Sequence, residues 1–241
     1  MKKDTIYRNP QIPLNDFEFD ENVANVFPDM LLRSIPGYDL VLSIINIFTR
    51  LYAEKHRNYY DLGCSLGAAT ISMGKALIQN HGQIIAVDNS EAMIKKCQKN
   101  IAKAALNIPV DLICADLQNV KIENAKIVVL NFTLQFINKN KRVEILENIY
   151  KGLVNKGVLI LSEKVTFREK GEKKFNESLY IEFKKSKGYS ELEISQKRTA
   201  LEKILVPDTV EEHLERLDSC GFNGSKVWYR CLNFASLVAY K

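Results

Sequence analysis

Residues 58 to 70, Asn-Tyr-Tyr-Asp-Leu-Gly-Cys-Ser-Leu-Gly-Ala-Ala-Thr, join an apolar strand-like start to small residues at fixed offsets. Gly63 and Gly67 allow a tight turn and close approach of backbone to ligand, and Ser65 stands where a dinucleotide fingerprint carries its second glycine. A turn of this kind, opening a helix, takes a nucleotide-like ligand; its rival is a glycine-rich corner that binds nothing. Cys64 lies inside the turn, where a small core thiol is expected rather than a nucleophile. Asp88 closes the run Ile-Ile-Ala-Val-Asp about 20 to 25 residues after the glycines, the place where α/β nucleotide folds carry the acid for the ribose hydroxyls. Asn89 and Ser90 follow, so helix capping competes as a reading of Asp88. Asp116 ends the apolar run from Val110, and Asn131 ends the run from Lys126. Four such strand ends in series put a ligand at the carboxyl edge of a parallel sheet.

The elements that would position these residues follow from periodicity. Strands are expected near 58–62, 83–88, 110–114, 126–131 and 157–163, alternating with helices near 67–80, 90–105 and 139–151. Asp20 to Arg33 reads as a helix kinked at Pro28. A second helix runs from Tyr38 to about Ala53, with Val41, Ile44, Ile45, Phe48, Leu51 and Tyr52 expected to pack on the sheet and Tyr38 at its mouth. Two late strands, Phe222 to Tyr229 and Phe234 to Tyr240, form an antiparallel hairpin at the sheet edge. The fold class is therefore α/β: a doubly wound, mostly parallel seven-stranded sheet with an antiparallel edge. One domain over residues 1–241 is expected, with residues 1–56 as a helical cap. Residues 164–207 hold two helical patterns, near 171–186 and 190–204, in a connection too long for a minimal crossover, so they read as a lid or a dimer arm.

Composition narrows the classes. The chain is 46% hydrophobic and 26% charged, as globular proteins are, with a net charge of +5 that is dispersed. Basic and aromatic residues are not interleaved, so direct nucleic-acid binding is not expected. No apolar run reaches the ~18 residues of a membrane span, and the start lacks a signal-peptide core, which gives a cytoplasmic expectation. The five cysteines are scattered without C-x-x-C spacing, so neither disulfides nor a metal site is signalled. His56, His81 and His213 fall away from strand ends, which leaves the site without a histidine base. Asn131-Phe-Thr-Leu-Gln-Phe136 lacks the prolines that amino-methylating nucleic-acid enzymes place there.

The turn from Asp61 to Gly67 resembles the S-adenosylmethionine turn of class I methyltransferases, and Asp116-Leu117 is similar to their adenine-contacting pair. Longer runs carry a narrower likeness. Phe19 to Ala24, Val26 to Met30, Arg33-Ser-Ile-Pro-Gly-Tyr38, Tyr60 to Thr70, Asn131 to Phe136 and Gly188-Tyr-Ser-Glu-Leu-Glu-Ile-Ser-Gln-Lys-Arg198 resemble the carboxy-S-adenosyl-L-methionine synthase family over nearly the whole chain. The resemblance implies a Rossmann-like methyltransferase fold and a homodimer. It implies a reaction that turns S-adenosylmethionine and prephenate into carboxy-S-adenosylmethionine and phenylpyruvate, with the product able to stay bound. It also implies a functional link to a tRNA carboxymethyltransferase acting on wobble uridine. Cofactor contacts carried over by the resemblance are Tyr38, Gly63, Cys64, Ser65, Asp88, Asn89, Asp116, Leu117, Asn131 and Arg198.

Arg198 is the catalytic assignment, because a guanidinium suits the carboxylate gained by the methyl group. On its residue pattern alone it could equally be a solvated helix residue paired with Glu202. With no obvious protein base, prephenate would supply both carbon dioxide and a hydroxide able to deprotonate the sulfonium methyl, in a closed pocket. Residues 168–174 have no assigned role. An ordinary S-adenosylmethionine-dependent methyltransferase acting on RNA or a small molecule is the alternative. A nicotinamide dehydrogenase is disfavoured by Ser65, and a non-catalytic tRNA adaptor by the lack of a basic and aromatic surface.

Overall fold

The computed structural model describes residues 2–78 and 81–241. Its parallel strands are β1 (Arg57–Leu62), β2 (Gly82–Asp88), β3 (Val110–Cys114), β4 (Ala125–Asn131) and β5 (Leu153–Lys164). Between them run α3 (Ala68–Ala76), α4 (Glu91–Ala104) and α5 (Lys139–Gly152). The sheet order is β3-β2-β1-β4-β5-β7-β6, with β6 (Asn223–Cys231) and β7 (Phe234–Tyr240) forming the expected antiparallel hairpin at one end. Within that hairpin β7 pairs with β5 and β6 lies at the margin. The sheet is thus seven-stranded and doubly wound, and its order reverses between β1 and β4, where such sheets open a crevice at their carboxyl edge.

Strand residues are apolar on both faces because helices cover both. Tyr60, Leu62, Val128, Leu130, Leu159 and Leu161 pack on one side with Ile145, Leu146 and Ile149 of α5. Their neighbours Tyr59, Ile127, Val129, Val158 and Ile160 pack on the other with Met73 of α3 and with Val41 and Ile45 of α2 (Tyr38–Tyr52). Leu51, expected on that packed face, is instead 72% exposed at the last turn of α2. Before α2 lies α1 (Glu21–Ser34), started by Asp20, whose carboxylate accepts the Val23 amide at 2.8 Å. The helix runs through Pro28 without ending there.

After β5 come α6 (Lys170–Ser186) and α7 (Glu191–Leu201), the two helices expected in the long connection, then α8 (Val210–Ser219). Ser190 and Glu193 close a capping box at the start of α7. This insertion is tied to the chain's start: Gln196 donates to the carbonyls of Tyr7 and Asn9, and the Phe17 amide donates to Ala200 O at 3.0 Å. Three boundaries differ from periodicity by three residues or more. α3 stops at Ala76, where Leu77 turns extended while its amide still bonds Met73 O; residues 79 and 80 of that span lie outside the described residues. β5 starts at Leu153 because Leu153 pairs with Ala125 before a register shift. α7 ends at Leu201, short of 204.

Candidate active site

The carboxyl ends of β1, β2 and β4 open into a cavity of about 550 Å³. Tyr38, Gly63, Cys64, Ser65, Asp88, Asn89, Asp116, Leu117 and Asn131 all line it, so nine of the ten residues selected from sequence converge. The turn after β1 is held by main chain. Gly63 and Cys64 amides both donate to Val87 O, at 2.8 and 2.9 Å, and Gly67 N donates to Cys64 O at 2.8 Å. Gly63 has φ +81°, and a Cβ there would stand 2.3 Å from Thr133 Oγ1, so glycine is required by both conformation and space.

Asp88 lines the cavity and accepts two main-chain amides, while the N-cap of α4 is Ser90, whose hydroxyl accepts the Met93 amide. Asp88 Oδ2 accepts the Ser65 amide at 2.9 Å and its Oδ1 accepts the Ser90 amide at 2.9 Å, which ties the turn to the start of α4. Each oxygen keeps a second acceptor site, the pair a ribose diol needs. Burial pushes its carboxyl up from the ordinary range. Asn89 Nδ2 donates to Asp116 Oδ1 at 2.9 Å and so joins the ends of β2 and β3. The Cys64 thiol is buried; its hydrogen bond with Cys97 and its desolvation push it far up, as an inert core thiol requires.

Several lining residues escaped sequence reasoning. Asp61 is 1% exposed; its Oδ2 accepts from Thr70 Oγ1 at 2.5 Å, while its Oδ1 has no partner. Desolvation raises its pKa to about 6. Asn131 Oδ1 is a second buried acceptor without a partner. Two orphaned acceptors in one cavity suit a ligand ammonium. The signal for Asp61 lay in plain view: an acid inside an apolar strand run, two residues before the turn glycine.

Aromatic rings form the opposite wall. Tyr38 and Phe132 centroids are 6.2 Å apart, Phe132 and Phe234 6.0 Å, and Phe19 stacks edge-on to Phe136 at 5.1 Å. Such faces attract a sulfonium or other cation. Phe132 has φ 63°, an uncommon conformation for a bulky residue. Its amide donates to Ser162 O at 2.7 Å, and buried Glu163 accepts the amides of Thr133, Leu134 and Gln135 at 3.2, 2.8 and 2.9 Å. Burial raises Glu163 to about 8. Among the described residues no histidine lines the cavity; His213 is buried in α8, where desolvation lowers it to about 4.

Arg198 stands apart from the other nine. It is exposed on α7 and lines a neighbouring cavity, where Lys197 and Lys164 form part of the wall common to both. Among the described residues no single helix is long and apolar enough to cross a membrane.

Comparison with known proteins decides the family. A methyltransferase domain family model matches residues 60–157. Over its full length the chain is 53% identical to the carboxy-S-adenosyl-L-methionine synthase of Geobacter metallireducens, covering 99% of that protein. The chain belongs to the carboxy-S-adenosyl-L-methionine synthase family. It is also 48% identical to the synthase of Shewanella halifaxensis, with 99% of this chain and 98% of that protein covered. A solved structure of a putative S-adenosylmethionine-dependent methyltransferase from Methanococcus maripaludis has the same fold, with TM-score 0.61 and 22% identity, over 94% of this chain and 95% of that one. The matched domain holds the turn, Asp88, Asp116 and Asn131; Tyr38 and Arg198 lie outside it, in segments shared with the full-length synthases.

Proposed function

We propose that this family member converts S-adenosyl-L-methionine and prephenate into carboxy-S-adenosyl-L-methionine, phenylpyruvate and water. The full-length identity to named synthases carries the reading. The cavity supports it by gathering these residues: Asp88 would take the ribose hydroxyls, Asp116 and Leu117 the adenine edge, and Asp61 and Asn131, each with an unpartnered buried oxygen, the amino-acid ammonium. Tyr38 and Phe132 would face the sulfonium.

In the proposed reaction the prephenate ring loses its carboxyl group as carbon dioxide and its hydroxyl as hydroxide, which aromatises it. The hydroxide takes one proton from the sulfonium methyl and becomes water. The methyl carbon then bonds to carbon dioxide, giving a carboxymethyl sulfonium, so every atom is accounted for. The protein's task is to align the two substrates and exclude water, which the buried aromatic wall favours. Arg198 would hold the new carboxylate.

A homodimer gives Arg198 a route to a neighbouring pocket, and the insertion supplies a surface for it. Phe175 and Leu179, one turn apart on α6, are 64% and 42% exposed. The product would serve a tRNA carboxymethyltransferase acting on wobble uridine, and all five cysteines are free, as suits the cytoplasm we assign to it. Incubation with both substrates tests the reaction. Phenylpyruvate and a carboxylated sulfonium are expected; accumulation of S-adenosylhomocysteine with prephenate untouched would make the protein an ordinary methyltransferase.

A further inference from the structure

The end of β5 and the two insertion helices enclose a second cavity, also of about 550 Å³, which shares Lys164, Tyr180 and Lys197 with the first. Lys164 is the last residue of β5, Lys184 lies in the last turn of α6, and Lys197 and Arg198 lie on α7. Both Lys164 and Lys184 point across the Tyr180 ring, with Nζ 5.3 and 4.5 Å from its centroid. Lys197 is partnered: its Nζ meets Ser34 Oγ at 3.1 Å and Asp4 Oδ2 at 3.6 Å. Among the described residues, Lys164 and Lys184 have neither a hydrogen-bond acceptor nor an ion-pair partner. Glu177 acts on Lys164 from a distance, and Glu191 is engaged by Lys185 at 2.8 Å.

Two ammonium groups without acceptors, set beside Lys197 and Arg198, cost free energy in the ligand-free protein. Desolvation lowers Lys164 to about 8, with Arg198 adding to the shift, and it lowers Lys184 to about 7, with Lys164, Lys197 and Arg198 adding. An anion between them would relieve this cost. The cavity is also walled by a ring. Tyr180 stacks edge-on to Phe234 at 5.4 Å, and Phe234 leads through Phe132 to Tyr38, so one aromatic series joins the two cavities.

We infer that Lys164 and Lys184 bind the carboxylates of a small cyclic dicarboxylate co-substrate, whose ring lies against Tyr180 next to the methyl donor. This deepens the proposed function and rests on it: a carboxyl transfer needs an acid bearing a carboxylate to lose and a second anionic group to hold it still. The two lysines are therefore specificity determinants for the second substrate, distinct from the residues that hold the nucleoside.

The test uses the full-length protein saturated with S-adenosylhomocysteine, so that no reaction occurs, and titrates it with prephenate in a calorimeter. Lys164→Met and Lys184→Met keep the apolar stem and remove the charge. Each should weaken prephenate binding about tenfold or more, the size of a lost charge-assisted bond. The double variant should lose measurable binding, while affinity for S-adenosylmethionine stays within about twofold. Removing an uncompensated charge should leave melting temperatures equal or higher, which separates loss of the site from loss of the fold. Lys184→Arg should recover part of the affinity. Unchanged prephenate binding in the double variant, or equal losses for prephenate and S-adenosylmethionine, would overturn the inference. Failure of the proposed reaction has a different signature: the parent protein would bind prephenate through the lysines yet form no carboxylated product.

Discussion

Substituting Asp61 by Asn should make the ligand-free protein more stable and the complex weaker. Asp61 is fully buried at the end of β1, with one oxygen bonded to Thr70 and the other bare toward the cavity. Desolvation raises its pKa from 3.8 to about 6. A native-state pKa above the unfolded value means the folded protein binds this proton more tightly. Its contribution to stability is present below about pH 4 and is lost as pH rises toward 6. Two pH units correspond to a penalty of roughly 3 kcal/mol above that window, at about 1.4 kcal/mol per unit. Asn keeps the acceptor for Thr70 and removes the charge, but leaves its amide group unpaired. A net gain of about 1–2 kcal/mol remains, or about 2–8 °C in melting temperature for a chain of this size. In the complex the carboxylate would face the substrate ammonium, so the same change should cost about 1.5–3 kcal/mol, a roughly 10- to 150-fold weaker Kd. Scanning calorimetry at pH 7.5 and pH 5, with titration of S-adenosylmethionine, measures both. The stability gain should shrink at pH 5. A variant that melts lower than the parent at pH 7.5, or that binds S-adenosylmethionine as well as the parent does, would refute the assignment of Asp61 Oδ1.

Asp88→Ala should weaken S-adenosyl ligands by about 2–3 kcal/mol, since ribose hydroxyls would be left unpaired; calorimetry showing unchanged affinity would remove Asp88 from the site. Gly63→Ala should abolish tight binding and cost at least about 1–2 kcal/mol of stability, because the left-handed backbone and the 2.3 Å approach to Thr133 both oppose a Cβ; denaturant titration checks the second part. Arg198→Ala should weaken carboxy-S-adenosylmethionine by about 2–4 kcal/mol and S-adenosylmethionine little, with Lys restoring only part; equal losses for the two ligands would give Arg198 a structural role.

Much of the fold and of the cavity wall at the carboxyl edge of the sheet was legible in the chain. A strand that ends in one polar residue leaves that residue at the carboxyl edge, so Asp88 and Asn131, the last residues of β2 and β4, and Asp116, two residues past β3, could be placed from local pattern alone. Gly63 and Gly67 were legible because a positive φ is a demand that few residues meet. The rest depends on which elements meet. Lys164 and Lys184 belong to a strand end and a helix end, and nothing in their own neighbourhoods says that both will cross Tyr180. Asp61 read as part of a turn, and its bare oxygen appears only once Thr70 has taken the other. The early start of β5 arises from pairing with Ala125, a partner that periodicity within β5 cannot reveal. Arg198, chosen through a family resemblance, lies outside the cavity at the carboxyl edge of the sheet because α7 turns it toward solvent and the second cavity.

Carboxyl transfer within a closed pocket is tested most directly by isotope tracing. The protein is given prephenate carrying carbon-13 in its ring carboxyl group, S-adenosylmethionine with a trideuterated methyl, and an excess of unlabelled bicarbonate. The expected product is a carboxymethyl sulfonium that carries the carbon-13 and retains two of the three deuterium atoms. A product carboxylate drawn from bicarbonate, or S-adenosylhomocysteine with the trideuteromethyl group passed to another acceptor, would contradict the account.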